Sequence, residues 1–305
     1  MSKIIGMSEV SVTFSVYGNF DYNRLRMAIK SVKMQKKCGI DIIVSEQNLE
    51  SKLDGLDKEL GFELVYSKPE YINDELVFNA GGIRNKAIER VDSEFVYLND
   101  ADIVFYNESY LFELLKLHKD NVSLIKPPLL RLQEPEVNNF IDNVNDKNLD
   151  SVLGQLKRAN KYLVSLESDE LDLKISNKRG RIFTTSWESY KEYLQNPSLK
   201  GYEPTFWFDT VHCGGIFTLT DCVREVGNYS KKYLTWGFED SDLQWKLDQK
   251  FGCEMIPTED RFNVLHLDHN KGYYSKEHKI INENIFKSRK ERDINEIIDE
   301  DLKIE

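Results

Sequence analysis

The stretch Tyr97-Leu98-Asn99-Asp100-Ala101-Asp102-Ile103-Val104-Phe105 suggests both the fold and the chemistry of this chain. The large apolar residues from Phe95 to Leu98 have the pattern of a buried strand. Two carboxylates follow, Asp100 and Asp102, and carboxylates at the end of a buried strand are costly unless a cation or strong donors meet them. A hard divalent cation with oxygen ligands, Mg²⁺ or Mn²⁺, meets that need and can also reach a phosphate. A polar turn after a strand is the alternative interpretation.

The composition limits the class of protein. The 305 residues carry a net charge of −11, which argues against a nucleic-acid groove because such a groove needs a positive surface. The four cysteines show no CxxC spacing, so we predict neither a zinc site nor a disulfide framework, and reduced thiols suit the cytoplasm. No apolar run reaches the length of a signal peptide or a bilayer span, so any membrane contact would be peripheral.

Apolar strands and amphipathic helices alternate in the first part of the chain. The predicted strands cover residues 10–16, 40–44, 62–66, 95–98 and 122–125, and the predicted helices cover residues 21–36, 78–90 and 111–117. This order predicts an α/β fold with a mostly parallel sheet and helices on both faces. Ligands of such sheets bind beyond the carboxyl ends of the strands, so we expect Tyr17, Glu46 and the Asp100/Asp102 pair to converge in one crevice.

The remainder of the chain gives weaker patterns. Residues 129–205 are polar with no clear strand order, and we interpret them either as an insertion that shapes a second binding surface or as a plain structural elaboration. The segment from Ser288 is mostly charged, with Ile294, Ile297 and Ile298 at helical spacing. This pattern predicts a loosely docked helix or a frayed tail.

Three motifs outside the aspartate stretch could join it. Arg84 could hold a pyrophosphate or a sugar hydroxyl with two hydrogen bonds, or it could be a surface arginine. Gly214 and Gly215 precede an apolar strand and would let a ligand or another backbone come close, although a simple turn is equally compatible. His266 or His269 could complete the coordination of a metal, or either could be a hydrogen-bonded strand histidine.

The fourth motif is Trp236-Gly237-Phe238-Glu239-Asp240-Ser241-Asp242 at the start of a predicted helix. Three acids occupy its first turn, where the helix dipole stabilises negative charge. An ionised carboxylate beside an exposed tryptophan suits a general base next to a sugar-binding surface. The alternative is the ordinary enrichment of acids at a helix N-terminus.

These motifs together resemble the glycosyltransferases of the GT-A fold. Asp100-Ala101-Asp102 is similar to their DxD motif, and Gly82-Ile83-Arg84-Asn85 resembles the Ala-Arg-Asn helix of glycosyltransferase family 2. Phe78-Asn79 is similar to a Phe-Asn segment that precedes the DxD motif in β-1,4-galactosyltransferases.

The C-terminal motif resembles a second feature of the same enzymes. Gly214-Gly215 followed by the Trp236 to Asp242 motif is similar to the Gly-Gly…Trp-Gly-Gly-Glu-Asp-Asp pattern of galactosyltransferases. Bacterial capsule-type enzymes and polypeptide N-acetylgalactosaminyltransferases share that pattern. Phe238 stands where the family usually has its second glycine. The motifs keep their order from about Val10 to Asn284, which is nearly the whole chain.

The resemblance implies a Rossmann-like GT-A fold with a single catalytic domain over residues 1–287. Residues 1–127 would form the nucleotide-sugar half, and residues 128–287 would form the acceptor half with the insertion at 129–205. Residues 288–305 would be a charged C-terminal helix or tail.

The resemblance also implies a role for each matched residue. The donor would contact Tyr17, Glu46, Phe78, Arg84, Asp100 and Gly215, with Tyr17 and Glu46 facing the base. The metal, Mn²⁺ or Mg²⁺, would be bound by Asp102 and His269, with Asp100 towards the metal or the ribose. The acceptor would be held by Trp236 and Glu239, and Asp240 would be the base.

We therefore expect a metal-dependent glycosyltransferase that uses a nucleotide-sugar, with a UDP-sugar expected, and a glycan or other hydroxyl acceptor, as in surface polysaccharide synthesis. Retaining relatives carry asparagine at the position of Asp240, so the aspartate favours inversion at the anomeric carbon, with Glu239 or Asp242 as the next candidate bases. A nucleotidyltransferase acting on a sugar phosphate is one alternative, although Tyr17-Gly18-Asn19 is a poor phosphate loop. A non-catalytic sugar-binding relative is the other.

Overall fold

The computed structural model describes residues 8–18, 20, 22–72, 75–105, 107–132, 175–176, 181–184, 206–209, 214–257, 259–267 and 275–303. The strands are β1 (Val10–Tyr17), β2 (Ile40–Gln47), β3 (Glu63–Ser67), β4 (Glu70–Ile72), β5 (Glu75–Val77), β6 (Phe95–Leu98), β7 (Ile103–Val104), β8 (Ser123–Ile125), β9 (Leu129–Leu132), β10 (Ile175–Ser176), β11 (Arg181–Thr184), β12 (Phe206–Asp209), β13 (Ile216–Leu219), β14 (Cys253–Met255) and β15 (Val264–Leu267). The helices are α1 (Tyr22–Lys33), α2 (Leu56–Leu60), α3 (Ala80–Ile88), α4 (Tyr110–Leu117), α5 (Thr220–Glu225), α6 (Glu239–Lys250), α7 (Lys276–Lys290) and α8 (Ile294–Lys303).

A seven-stranded sheet in the order β14-β8-β13-β6-β1-β2-β3 forms the centre of the molecule. Strand β1 pairs in parallel with β2 and β6, β2 pairs in parallel with β3, and β14 pairs in parallel with β8. Only β13 runs antiparallel to its neighbours in this sheet. The predicted α/β fold with a mainly parallel sheet is therefore confirmed.

Two apolar clusters cover the two faces of this sheet, because the central strands are buried on both sides. On one face Phe14 packs with Leu25 of α1 and Leu111 of α4. On the other face Leu98 packs with Ile88 of α3, and the same cluster contains residues of α5, α6 and α8. The helices thus lie on both faces, as the alternating pattern predicts.

A second sheet has the order β10-β11-β12-β9-β15-β7. Its register joins Leu129 to Asp209 and Arg181 to Asp209, so the described parts of residues 129–209 form short antiparallel strands. This strand order is absent from the sequence-based interpretation of residues 129–205, because each strand has only two to four residues and too little periodicity to be recognised. The rest of that proposed insertion lies outside the described residues.

The C-terminal segment differs from the expected loose helix or frayed tail. Helix α8 buries Ile297 and Ile298 against the main core, and Asp301 near its end is also buried. Arg289 of α7 donates to Asp301 at 2.6 Å and to Asp242 of α6 at 2.7 Å. The charged sequence hides this docking because Arg289 and Asp301 pair with each other inside the protein. Within the described ranges, no helix combines the length and the apolar character needed to cross a membrane.

Candidate active site

Asp100 lies just beyond the carboxyl end of β6 and contacts two of the predicted motifs. Arg84 of α3 donates from Nη2 to Asp100 Oδ1 at 2.8 Å. A Cβ atom on Gly214 would lie 2.0 Å from Asp100 Oδ2, so a larger residue at this position would displace the Asp100 carboxylate. A Cβ on Gly215 would lie 2.6 Å from the Pro127 ring and 2.9 Å from the Tyr97 hydroxyl. The glycine pair therefore allows β13 to approach the aspartate motif closely.

Asp102 follows two residues later and faces a histidine. His266 of β15 places its Nε2 atom 3.3 Å from Asp102 Oδ2, and both residues are buried. The backbone of His266 pairs with Ile103 of β7, which is why the two side chains meet. The expected ligand His269 lies outside the described residues, so its role as a metal ligand stays a prediction.

The carboxylate oxygens of Asp100 and Asp102 suit a hard cation, because such cations prefer oxygen ligands. Among the described residues, however, no group of three or more histidine, cysteine, aspartate or glutamate side chains could hold a metal ion. Asp100 and Asp102 could hold Mn²⁺ or Mg²⁺ once a further ligand, from residue 269 or from a bound diphosphate, completes the coordination.

Arg84 also reaches the acidic start of helix α6. Its Nη2 atom lies 3.6 Å from Asp240 Oδ2 and 4.0 Å from Glu239 Oε1, and its guanidinium carbon lies 5.3 Å from the centre of the Tyr229 ring. Burial acts to lower the pKa of Arg84, but the surrounding Asp240, Tyr229, Asp100 and Glu239 outweigh it and raise that pKa. One buried guanidinium therefore joins the carboxylates of both motifs.

The loop before α6 has an unusual backbone. Thr235 has a φ of 52°, Gly237 a φ of 111° and Phe238 a φ of 72°. Glycine adopts the left-handed conformation of Phe238 without strain, and here the Phe238 ring packs against Phe286 of α7 at 5.7 Å between centroids. Beside Gly237 the space that a Cβ would occupy is open, which leaves room for a ligand.

The three acids of helix α6 have different environments. Glu239 is buried, and its Oε2 accepts the Gly237 N–H at 2.6 Å; burial raises the pKa of Glu239 although Arg84 and the backbone donors oppose it. Asp240 keeps 13% of its side chain exposed. Asp242 is fully buried and accepts hydrogen bonds from Tyr233 and Arg289. Asp242 is therefore a structural residue and a poor substitute for Asp240 as a base.

Tyr17 and Phe78, two of the expected donor contacts, lie next to each other, and their contact with a donor stays a prediction. The rings of Tyr17 and Phe78 lie 5.5 Å apart, and the backbone of Gly18 approaches the Phe78 ring. Asn79, the next residue, caps helix α3, which carries Arg84. The aromatic pair therefore lies at the same end of the sheet as Asp100.

Glu46 is placed differently from the other expected donor contacts. Its buried carboxylate accepts hydrogen bonds from the Ser51 hydroxyl at 2.6 Å and the Lys52 N–H at 2.8 Å. It thus supports the loop after β2, and its contact with a nucleotide base stays a prediction.

Sequence reasoning did not single out Tyr229 and Asn282. The side chain of Asn85 bonds both the N–H and the carbonyl of Tyr229, at 2.9 and 2.8 Å, which holds the Tyr229 ring next to Arg84. Asn282 of α7 contacts the loop that carries Trp236. No local pattern marks either residue, because both act through contacts between distant parts of the chain.

The mainly parallel sheet with helices on both faces has the architecture of the GT-A fold. The chain is similar to the structure of GalNAc-T7 with UDP, GalNAc and Mn²⁺, with a TM-score of 0.50 and 13% identity over 93% of this chain and 48% of that chain. At this identity the likeness describes the fold alone.

Two other similar structures have lower scores. The mannosyltransferase PcManGT from Pyrobaculum calidifontis, in complex with GDP-Man and Mn²⁺, has a TM-score of 0.46 and 11% identity over 88% of this chain and 59% of that chain. S. aureus TarS 1-349 in complex with UDP has a TM-score of 0.47 and 13% identity over 96% of this chain and 69% of that chain. This chain thus spans about half of the GalNAc-T7 chain and three fifths of the PcManGT chain. No family model and no curated protein matches the sequence.

Proposed function

We propose that this protein is a metal-dependent, inverting glycosyltransferase that moves a sugar from a nucleotide-sugar to an acceptor hydroxyl. The observation that carries this proposal is the position of Arg84, which lies 2.8 Å from Asp100 and 3.6 Å from Asp240. A donor-side acid and an acceptor-side acid are thereby held within reach of one small region, as a direct displacement requires.

On the donor side, Asp102, Asp100 and His269 would hold Mn²⁺ or Mg²⁺. The bound metal would neutralise the charge that develops on the leaving diphosphate. The Tyr17 and Phe78 rings offer an apolar surface for the nucleotide base, and Arg84 offers a countercharge near the diphosphate. A UDP-sugar is the donor we expect.

On the acceptor side, Trp236 and Glu239 would position a sugar, and Asp240 would act as general base. The acceptor oxygen would form a bond to the anomeric carbon as the bond between that carbon and the diphosphate breaks. The proton of the acceptor hydroxyl would pass to a carboxylate oxygen of Asp240 and then to solvent. Attack opposite the leaving group would invert the anomeric configuration.

We propose a glycan as the class of acceptor and surface polysaccharide synthesis as the class of cellular role. A glycan of a bacterial surface polysaccharide, assembled in the cytoplasm with at most peripheral membrane contact, is compatible with the motif pattern. A nucleotidyltransferase acting on a sugar phosphate would need a phosphate-binding loop that Tyr17-Gly18-Asn19 does not resemble. A non-catalytic sugar-binding relative would bind the donor without releasing nucleotide.

A thermal-shift screen with UDP- and GDP-sugars and Mn²⁺ tests the donor, because a ligand that binds the native state raises its apparent stability. We expect a shift with at least one donor that disappears in EDTA, followed by nucleotide release when hydroxyl acceptors are added. Binding without release would favour the non-catalytic alternative. Inorganic pyrophosphate release from a nucleoside triphosphate and a sugar phosphate would favour the nucleotidyltransferase.

A further inference from the structure

The loop from Leu234 to Gly237 cannot satisfy its own peptide groups by regular hydrogen bonding. It lies between the buried Tyr233 and the start of α6, and two of its four residues have a positive φ. Unpaired peptide groups next to a buried segment are costly, so such a loop needs partners from elsewhere in the fold. On one side, helix α3 supplies the Ala80 N–H, which donates to the Thr235 carbonyl at 2.9 Å.

On the other side, a single side chain supplies most of the partners. Asn282 of α7 is fully buried. Its Oδ1 accepts the Leu234 N–H at 2.8 Å. Its Nδ2 donates to the carbonyls of Leu234 at 2.8 Å and Gly237 at 3.0 Å, with a longer contact to Trp236 at 3.4 Å. An asparagine is suited to this task because it combines one acceptor with two donors in a short, planar group.

Gly237 connects Asn282 by hydrogen bonds to Glu239, one of the acids that we propose for the acceptor side. The carbonyl of Gly237 accepts from Asn282, and the N–H of the same residue donates to Glu239 Oε2 at 2.6 Å. Asp240 follows directly in the first turn of α6. Through Asn282 and Gly237, helix α7 therefore fixes the backbone on the side of the site where an acceptor would bind.

We propose that Asn282 is a positioning residue that sets the geometry of the acceptor side of the site, an inference that rests on the proposed transferase function. It does not touch the reacting atoms. It fixes the backbone of Trp236 and Gly237, and through them the place of an acceptor hydroxyl relative to Asp240. The proposed donor-side residues Tyr17, Phe78 and Asp102 lie on other segments of the chain, so we expect a substitution of Asn282 to affect donor binding less than acceptor binding.

The test uses Asn282→Asp, which keeps the size of the side chain but presents a carboxylate to three carbonyl oxygens. Asn282→Ala is the second variant, because its smaller side chain leaves room for water if the first variant does not fold. Asn284→Asp is the matched control, since Asn284 is an exposed asparagine on the same helix. Each protein is assayed with UDP-glucose, UDP-N-acetylglucosamine and GDP-mannose, with Mn²⁺, and with methyl hexosides as acceptors.

Nucleotide release, thermal shift and hydrogen exchange together distinguish a positioning role of Asn282 from general destabilisation. Acceptor-dependent nucleotide release should fall on the order of 10²-fold in the Asn282 variants, because small misplacements of a reacting group have effects of that size. Nucleotide release to water and the thermal shift with UDP and Mn²⁺ should stay within about threefold of the values for the unmodified protein. In the Asn284 control, acceptor-dependent nucleotide release should change by no more than about twofold. Hydrogen exchange should increase in the peptide containing residues 234–240 and not in the peptide containing Asp100.

The proposal is overturned if acceptor-dependent and water-dependent release fall together, or if neither changes in a folded Asn282 variant. Unchanged hydrogen exchange at residues 234–240 would also overturn it. If the unmodified protein releases nucleotide from none of these donors, the proposed function loses its support, and the exchange measurement then decides alone whether Asn282 holds this loop.

Discussion

Arg84 and Asp240 lie on different helices, yet the Arg84 Nη2 atom is 3.6 Å from Asp240 Oδ2. The two residues are far apart along the chain. More than half of the sequence from the first strand to the last helix lies between them. The same guanidinium bonds Asp100 at 2.8 Å, so one cation contacts both the acid that we propose for the donor side and the acid that we propose for the acceptor side. Substitutions on either side should therefore have distinguishable effects on donor binding and on transfer.

Asp240→Asn should retain donor binding and lose most transfer, because an amide cannot accept the proton of the acceptor hydroxyl. Loss of a general base typically costs on the order of 10²- to 10⁴-fold in rate. Nucleotide release with and without acceptor measures the change. NMR of the product gives the anomeric configuration, and an α-linked donor should give a β-linked product. A product that keeps the donor's configuration would refute the inverting assignment, and normal turnover would shift the base to Glu239.

Asp102→Asn should abolish metal-dependent nucleotide binding while the fold survives, since the carboxylate lies at the end of the sheet, where we propose that it serves a ligand. The measurement is the thermal shift produced by UDP or GDP with Mn²⁺, compared with the shift in EDTA. Asp92→Asn is the control, because Asp92 is exposed and precedes strand β6, which Asp102 follows. Full activity of the unmodified protein in excess EDTA would contradict the role assigned to Asp102.

The two histidines near the end of the second sheet should differ in their effect on metal affinity. His266→Ala removes the side chain whose Nε2 lies 3.3 Å from Asp102, and loss of such a partner typically weakens metal binding about 10- to 100-fold. His269→Ala should have the larger effect if His269 is a direct ligand. Titration with Mn²⁺ by calorimetry measures both. A larger loss in His266→Ala would exchange the two assignments.

Glu239→Gln should change how stability depends on pH. Burial raises the pKa of Glu239 above its usual value of 4.5, so the native state holds this proton more tightly than the unfolded chain does. The stability that Glu239 contributes is therefore present at low pH and is lost as the pH rises above that value. The variant should gain stability relative to the unmodified protein as the pH rises above 4.5. Melting temperatures across this range test the sign, and a variant that becomes relatively less stable with rising pH would contradict it.

Asp301→Asn should destabilise the fold, because Asp301 pairs with Arg289 at 2.6 Å and Lys246 at 2.7 Å in a buried network. Removing one partner from a buried ion pair costs about 3–5 kcal/mol. Asp299→Asn on the same helix is the matched control, since Asp299 is exposed and should cost less than about 0.5 kcal/mol. Urea unfolding measures the free energy of both variants. Equal stabilities would mean that the C-terminal helices contribute little to the fold.

The sequence by itself determined the α/β class and most of the central sheet. Strand β1 is recognisable from the alternation of Val10, Val12, Phe14 and Val16, and strand β6 is recognisable as the short apolar run from Phe95 to Leu98. The helix caps and periodicity of the first half are equally local signals. The sequence also indicated the aspartate motif, because a polar cluster at the end of a buried strand conflicts with its surroundings.

The tertiary structure decided which of these residues meet. Arg84 contacts Asp240, His266 contacts Asp102, and Glu46 accepts a hydrogen bond from the loop that follows its own strand. Spacing along the chain predicts none of these contacts. The same holds for Asn282, whose hydrogen bonds join residues about 45 positions apart. It also holds for Asp301 of α8, which looks solvated in sequence but is paired with Arg289 in the interior. Periodicity reports the local burial of one element, whereas contacts between elements depend on how the chain brings distant backbone segments together.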